Sequence, residues 1–136
     1  MTAAEFLITV ASWAAEQPDL QGLALVGSYA RNAAHPDSDI DLVLLSRQVA
    51  SRLANTAWVS SFGSVKQQQI ERWGRVTSIR VGYADGLEVE FGVTTPDWAD
   101  LPVDPGTRRV VADGMRILFD ASGRLDRLRR DVCAGS

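Results

Sequence analysis

A chain of 136 residues, 46% hydrophobic and 23% charged, has the length and composition of a single folded domain with a proper core, which excludes a disordered or fibrous chain. Its net charge of −3 argues against a protein that grips nucleic acid through the phosphate backbone, since such proteins carry a basic stripe. Cys133 is the only cysteine, so an intrachain disulfide and a cysteine-rich metal site are both excluded.

The N-terminus lacks the basic start and long apolar core of a secretory signal, and Glu5 interrupts it. Nor does any apolar run approach the roughly 18 residues that a membrane span needs. A cytoplasmic location without membrane contact is expected. Thr2 and Glu5 have the spacing of a capping box, which predicts a helix from there. Phe6, Leu7, Val10, Trp13 and Ala14 make its apolar stripe, and Pro18 ends it. Leu23 to Val26 reads as a buried strand stopping at Gly27-Ser28, and Ser28 can cap a short helix through Tyr29-Ala30-Arg31. His35-Pro36-Asp37-Ser38 is turn chemistry. Ile40 to Leu45 is a second strand, with Asp39 and Asp41 at its mouth, and a helical segment follows around Val49 to Trp58.

Residues 59–73 carry no readable period: Val65, Gln67 and Gln69 alternate, yet three consecutive glutamines also suit a helix. From Val76 to Tyr83 the alternation is that of a strand, and Asp85-Gly86 signals a hairpin returning through Leu87 to Val93. A short turn over Pro96–Asp100, a helix over Pro105–Asp113 ended by Gly114, a strand over Met115–Phe119 and a terminal helix over Leu125–Val132 complete the chain. Arg124, Arg127, Arg129 and Arg130 crowd that last helix, where the plainer explanation is a solvated face. The sum is an α+β domain around a mixed sheet of four or five strands flanked by helices.

Two features between Gly27 and Leu42 carry chemistry. The first is a strand ending in Gly-Ser where a helix begins. Glycine allows close backbone approach, and unpaired N–H groups at a helix start attract phosphate. The second is Asp39-Ile40-Asp41. Residues two apart on a strand share a face at roughly 6.5–7 Å, so both carboxylates can close on one site. Two such charges at about 4 Å repel by about 4 kcal/mol at an effective dielectric near 20. A divalent cation relieves that repulsion, and all-oxygen ligands suit Mg²⁺ or Mn²⁺. Taken singly, each feature has a structural explanation: a plain strand-to-helix cap, and a strand with one solvated face.

Together they gain weight. Gly27-Ser28, ten intervening residues, then Asp39-x-Asp41 resembles the signature of the polymerase-beta-like nucleotidyltransferases. The surrounding Gly-Ser-Tyr-Ala-Arg and Ser-Asp-Ile-Asp-Leu resemble its minimal nucleotidyltransferase branch. Asn32 departs from the glycine common there after the arginine, but asparagine tolerates left-handed backbone. The resemblance implies the polymerase-beta-like fold, with nucleotide binding by Gly27, Ser28, Arg31 and Ser38. It further implies that Asp39 and Asp41 hold the metals and that a third carboxylate comes from a later strand. Glu88 and Glu90 share a face there. Glu90, between Val89 and Phe91 and deeper along the strand, is the choice, with Glu88 the alternative. On the same ground Glu90 is expected to join one metal and to help deprotonate the attacking hydroxyl.

The implied reaction moves a nucleoside monophosphate, AMP from ATP, to a hydroxyl acceptor with release of pyrophosphate. The acceptor, a protein or a small molecule, stays open, and so does homodimer formation. By resemblance, two alternatives stand beside it: an antitoxin-type module that pairs with, and adenylylates, a HEPN-like toxin, and an aminoglycoside-type small-molecule enzyme. Arg31 can face the triphosphate or cover apolar surface. Arg80 and Arg109 can reach phosphate, but the sequence does not place them. His35 is expected to be a turn residue.

Overall fold

The computed structural model describes residues 1–35 and 38–134. Thr2 caps α1 (Ala3–Ala15): its hydroxyl accepts from the Glu5 N–H while the Glu5 carboxylate accepts from the Thr2 N–H, completing the expected box. Phe6, Val10 and Ala14 form the buried stripe. After Pro18 the chain enters β1 (Leu20–Val26), and β2 (Ile40–Ser46) follows beyond the loop that bears the site. The segment expected to be helical over Val49 to Trp58 divides into α2 (Val49–Ala54) and a 3₁₀ turn over Ala57–Phe62.

β3 (Val65–Trp73) occupies the stretch without a readable period. The alternating run is β4 (Val76–Tyr83), joined through the Asp85-Gly86 turn to β5 (Glu88–Thr94). Gly86 has φ +95, and Asp85 accepts from the Leu87 N–H, as hairpin chemistry at Asp-Gly requires. A 3₁₀ turn over Pro96–Ala99, α3 (Pro105–Ala112), β6 (Met115–Asp120) and α4 (Arg124–Ala134) close the sequence.

The strands make one sheet of six, in the order β3-β4-β5-β2-β1-β6. This corrects the expected four or five: β3 is the additional strand. All pairings are antiparallel except β2 with β5. The central strands are buried on both faces, which is why β2 reads as an unbroken apolar run rather than an alternating one. Ile40, Leu42 and Leu44 face a core with Phe6, Val10, Phe62 and Phe91. Val43 and Leu45 face a second core with Trp98, Val111, Leu125 and Leu128. α1 and the Ala57–Phe62 turn thus cover one face, while α3 and α4 cover the other. Asp41 precedes Val43 on that second face.

Candidate active site

The loop after β1 begins with Gly27 at φ +76, a left-handed geometry that costs an L-side chain steric energy. A Cβ there would stand 2.5 Å from Asp41 Oδ2, so glycine is required twice over. The helix expected over residues 28–31 is instead one tight turn. The Ala30 and Arg31 N–H groups donate to Gly27 O, and the turn closes by Ala33 N–H to Ser28 O at 2.9 Å and Asn32 N–H to Tyr29 O at 3.3 Å. Asn32 at φ 56 takes the left-handed position of this Schellman closure, the geometry for which asparagine is the usual substitute for glycine. Among the described residues the N–H groups of Ser28 and Tyr29 donate to nothing, which leaves two amides beside Asp41 for an anion.

The sheet register builds the acidic cluster. β2 and β5 pair in parallel with Asp41 beside Glu90, and β1 sets Val26 against Asp41 on the other side. The Asp41 and Glu90 side chains lie side by side across the two strands. Burial first, then the neighbouring Glu90 carboxyl and the charge of Asp39, push the Asp41 carboxyl up to about 7; Arg80 opposes them. Glu88 lies opposite Gly82, two residues back along β5 from the position beside Asp41.

Asp39 is placed differently. Its Oδ2 lies 3.3 Å from Nη2 of Arg80, which stands opposite Glu90 on β4, and Arg80 Nε is 3.9 Å from Glu71 of β3. Among the described residues no three carboxylate, histidine or cysteine side chains are gathered as a ready metal-ligand group. The chemistry of the donors nevertheless suits a hard cation. Two carboxylates side by side in the sheet register, with a third two residues before Asp41, offer oxygen ligands only.

The other candidates lie at the rim. Arg31 Nη1 pairs with Asp113 at 2.7 Å, bridging the loop to the end of α3. The Ser38 hydroxyl accepts from the His35 N–H at 2.8 Å, so both residues are engaged in the turn; Pro36 and Asp37 lie outside the described residues. Arg80 is placed within the acidic cluster, while Arg109 is exposed on α3.

A cavity of about 680 Å³ opens from Gly27, Asp41 and Glu90 beneath α3. Its walls include Val43, Val76, Ser78, Gly92, Trp98, Thr107 and Val110. Sequence reasoning missed the α3 side of this space. The available signal was Thr107, a polar residue one helical turn before Val111 on the buried stripe, both of them buried.

Two unpaired amides and a pair of neighbouring carboxylates thus stand beside one cavity. An aminoglycoside 6-adenyltransferase from Bacillus subtilis has a similar fold, with a TM-score of 0.53 at 17% identity over 68% of this chain and 34% of its own. The chain therefore spans about a third of that relative's length. A chain from the structure of a toxin-antitoxin with AMP-PNP aligns over 98% of this chain and 86% of its own, at 14% identity and a TM-score of 0.49. No curated protein matches the chain. The profile that describes the nucleotidyltransferase domain matches residues 12–98, from the end of α1 through β5 and including Gly27, Asp39, Asp41 and Glu90, and the chain belongs to that family.

Proposed function

We propose that this protein transfers a nucleoside monophosphate, AMP from ATP, to a hydroxyl acceptor with release of pyrophosphate, and that the chain does so as one domain. The observation that carries the proposal is the Asp41–Glu90 pair, side by side across parallel strands and set against Gly27, where any side chain would strike Asp41. Asp41, Glu90 and, once released from Arg80, Asp39 would hold Mg²⁺ or Mn²⁺. When bound, such a cation would supply Lewis-acid polarisation of the phosphoryl oxygens.

The chain's own groups do the remaining work. The free N–H groups of Ser28 and Tyr29 bind the leaving phosphates. Arg31 and Ser38 stand at the edge of the same loop, where they can orient the nucleotide. Glu90 takes the acceptor's proton. The acceptor oxygen bonds to the α-phosphorus, the bond from that phosphorus to its bridging oxygen breaks, and pyrophosphate leaves with the electron pair. Arg80 lies beside this cluster, where its charge offsets part of the negative charge on the carboxylates.

Incubation with α-labelled ATP, Mg²⁺ and a lysate, read as labelled acceptor and released pyrophosphate, tests the reading. Glu90→Gln should lower transfer by about 10²–10⁴-fold while nucleotide binding persists, the range for a lost proton acceptor. Glu88→Gln should remain within a few-fold of wild type. The opposite ranking would move the base to Glu88, and no transfer to any acceptor would leave a nucleotide-binding protein.

A further inference from the structure

Arg31 belongs to the turn whose two unpaired amides, those of Ser28 and Tyr29, form the anion cradle. Its own N–H donates to Gly27 O, and its side chain runs to the end of α3. There Nη1 stands 2.7 Å from Oδ2 of Asp113, a residue that lines the cavity. The stem of the arginine is held as well. Gly114 has φ +131, and a Cβ on it would lie 2.8 Å from Arg31 Cγ and 3.7 Å from Ala30 Cβ. Glycine lets the chain pass directly against the arginine stem, in a backbone conformation that L-residues rarely adopt.

The guanidinium is engaged at one edge only. Among the described residues Nη2 and Nε donate to nothing, so most of the five donors of the fork are open beside the cradle. The pair contributes little to stability, because the two side chains are 41% and 68% exposed. What it does is fix one rotamer of a long side chain. The other arginines around the site are placed elsewhere. Arg75 lies between β3 and β4, strands away from the turn after β1, and pairs with Asp97, while Arg80 is engaged by Asp39 and Glu71.

The family profile ends at residue 98, so the seat formed by Asp113 and Gly114 comes from the part of the chain outside it. Resting on the nucleotidyl-transfer reading above, we infer that Asp113 and Gly114 are positioning residues, which hold Arg31 so that the open edge of its guanidinium takes the outer phosphates of a nucleoside triphosphate at the cradle. A planar fork held at one edge presents N–H groups to phosphate at the other with its rotamer already set. Asp113 acts through the arginine, so a neutral acceptor of the same shape serves in its place.

Calorimetry in Mg²⁺ buffer with α,β-methylene-ATP, whose bridge between the α- and β-phosphorus resists cleavage, and with AMP tests the seat. Asp113→Ala should weaken the triphosphate about three- to tenfold, the equivalent of ordering one long side chain on binding, and should change AMP less than about twofold. Asp113→Asn should restore the affinity, because its amide oxygen accepts from Arg31 at the same place. Arg31→Met should weaken the triphosphate by about tenfold or more, the equivalent of lost hydrogen bonds to a charged group. Adding Asp113→Ala to Arg31→Met should change nothing further. Asp113 is exposed, so its variants should keep the melting temperature of wild type to within a few degrees. Unchanged or tighter triphosphate binding in Asp113→Ala, an equal loss for AMP, or failure of Asp113→Asn to restore it overturns the inference. So does a full effect of Asp113→Ala in the Arg31→Met protein. Each of these results leaves the transfer reading standing, since wild type still binds the triphosphate. Absence of triphosphate binding in wild type would instead remove the transfer reading, and the inference with it.

Discussion

At Asp41 the site's chemistry and the protein's stability are coupled. Its carboxyl titrates near 7 in the folded protein against an ordinary 3.8, chiefly through burial and then through Glu90. A carboxyl raised in this way stabilises the fold fully below the unfolded value and loses that contribution as pH rises through the folded one. The metal-free protein should therefore weaken between about pH 4 and pH 8 through this residue. Asp41→Asn removes the titration. Its melting temperature should match wild type near pH 4 and exceed it at pH 8 by about 3–7 °C, or on the order of 1–2 kcal/mol. That range is below the full value of about 1.4 kcal/mol per pKa unit because solvent reaches the site. Thermal melts across that range in a chelating buffer measure it, and a difference independent of pH would mean that Asp41 does not titrate there.

The residues of this cluster were legible in unequal degree. Asp39 and Asp41 stand out because a two-residue spacing at a strand mouth is local information. Glu90 could be chosen over Glu88 by its depth in the strand, and the register sets it beside Asp41. Arg80 could not be placed, because its closeness to Asp39 depends on β4 pairing with β5 and β5 with β2, which no local pattern encodes.

Among the elements, those with one clearly apolar face were readable and β3 was not. Its run Lys66-Gln67-Gln68-Gln69 is polar on both faces because β3 is an edge strand with little to bury, so no period of two develops. The join between α1, β1 and α2 was equally hidden, since it is made of polar groups distant in sequence. Arg52 of α2 reaches Asp19 at 2.5 Å, with the two side chains only 12% and 13% exposed, and also donates to Gln17. Its guanidinium lies 5.1 Å from the ring centre of Trp13 and 5.6 Å from that of Trp58, two indoles stacked on each other. Burial alone would push the Asp19 carboxyl up, but hydrogen bonds from Arg52 and Ser46 outweigh it and hold it below its usual range. Removing one partner strands the other, so Arg52→Ala should cost about 3–5 kcal/mol in urea unfolding. Asp19→Asn combined with Arg52→Ala should cost less than the sum of the single changes. Additivity would show that the pair contributes independently, against the geometry.

For the whole molecule, the sheet separates two tasks. The α1 face carries the large aromatic core of Phe6, Phe62 and Phe91, while the α3–α4 face gives up packing beside Asp41 and Glu90 to leave the cavity. This division depends on strand order, with β5 inserted beside β2, and order is fixed by long-range pairing rather than by any stretch of sequence. It follows that ligand should act on the second face and be felt globally. A ligand present at about a hundred times its dissociation constant stabilises the native state by about 2.7 kcal/mol, or about 6–10 °C for a domain of this size. ATP with Mg²⁺ should produce a shift of that order, and EDTA should reverse it. ATP alone should shift the melt little, because the carboxylates that a cation would bridge then repel the phosphates. Asp41→Asn should lose the response to ATP with Mg²⁺ while melting cooperatively, since the α1 core does not depend on that carboxylate. Hydrogen exchange gives the spatial check: protection on binding should concentrate in residues 27–33 and in α3. Protection confined to α1 and α2 would place the nucleotide on the wrong side of the sheet and remove the assignment of the cradle.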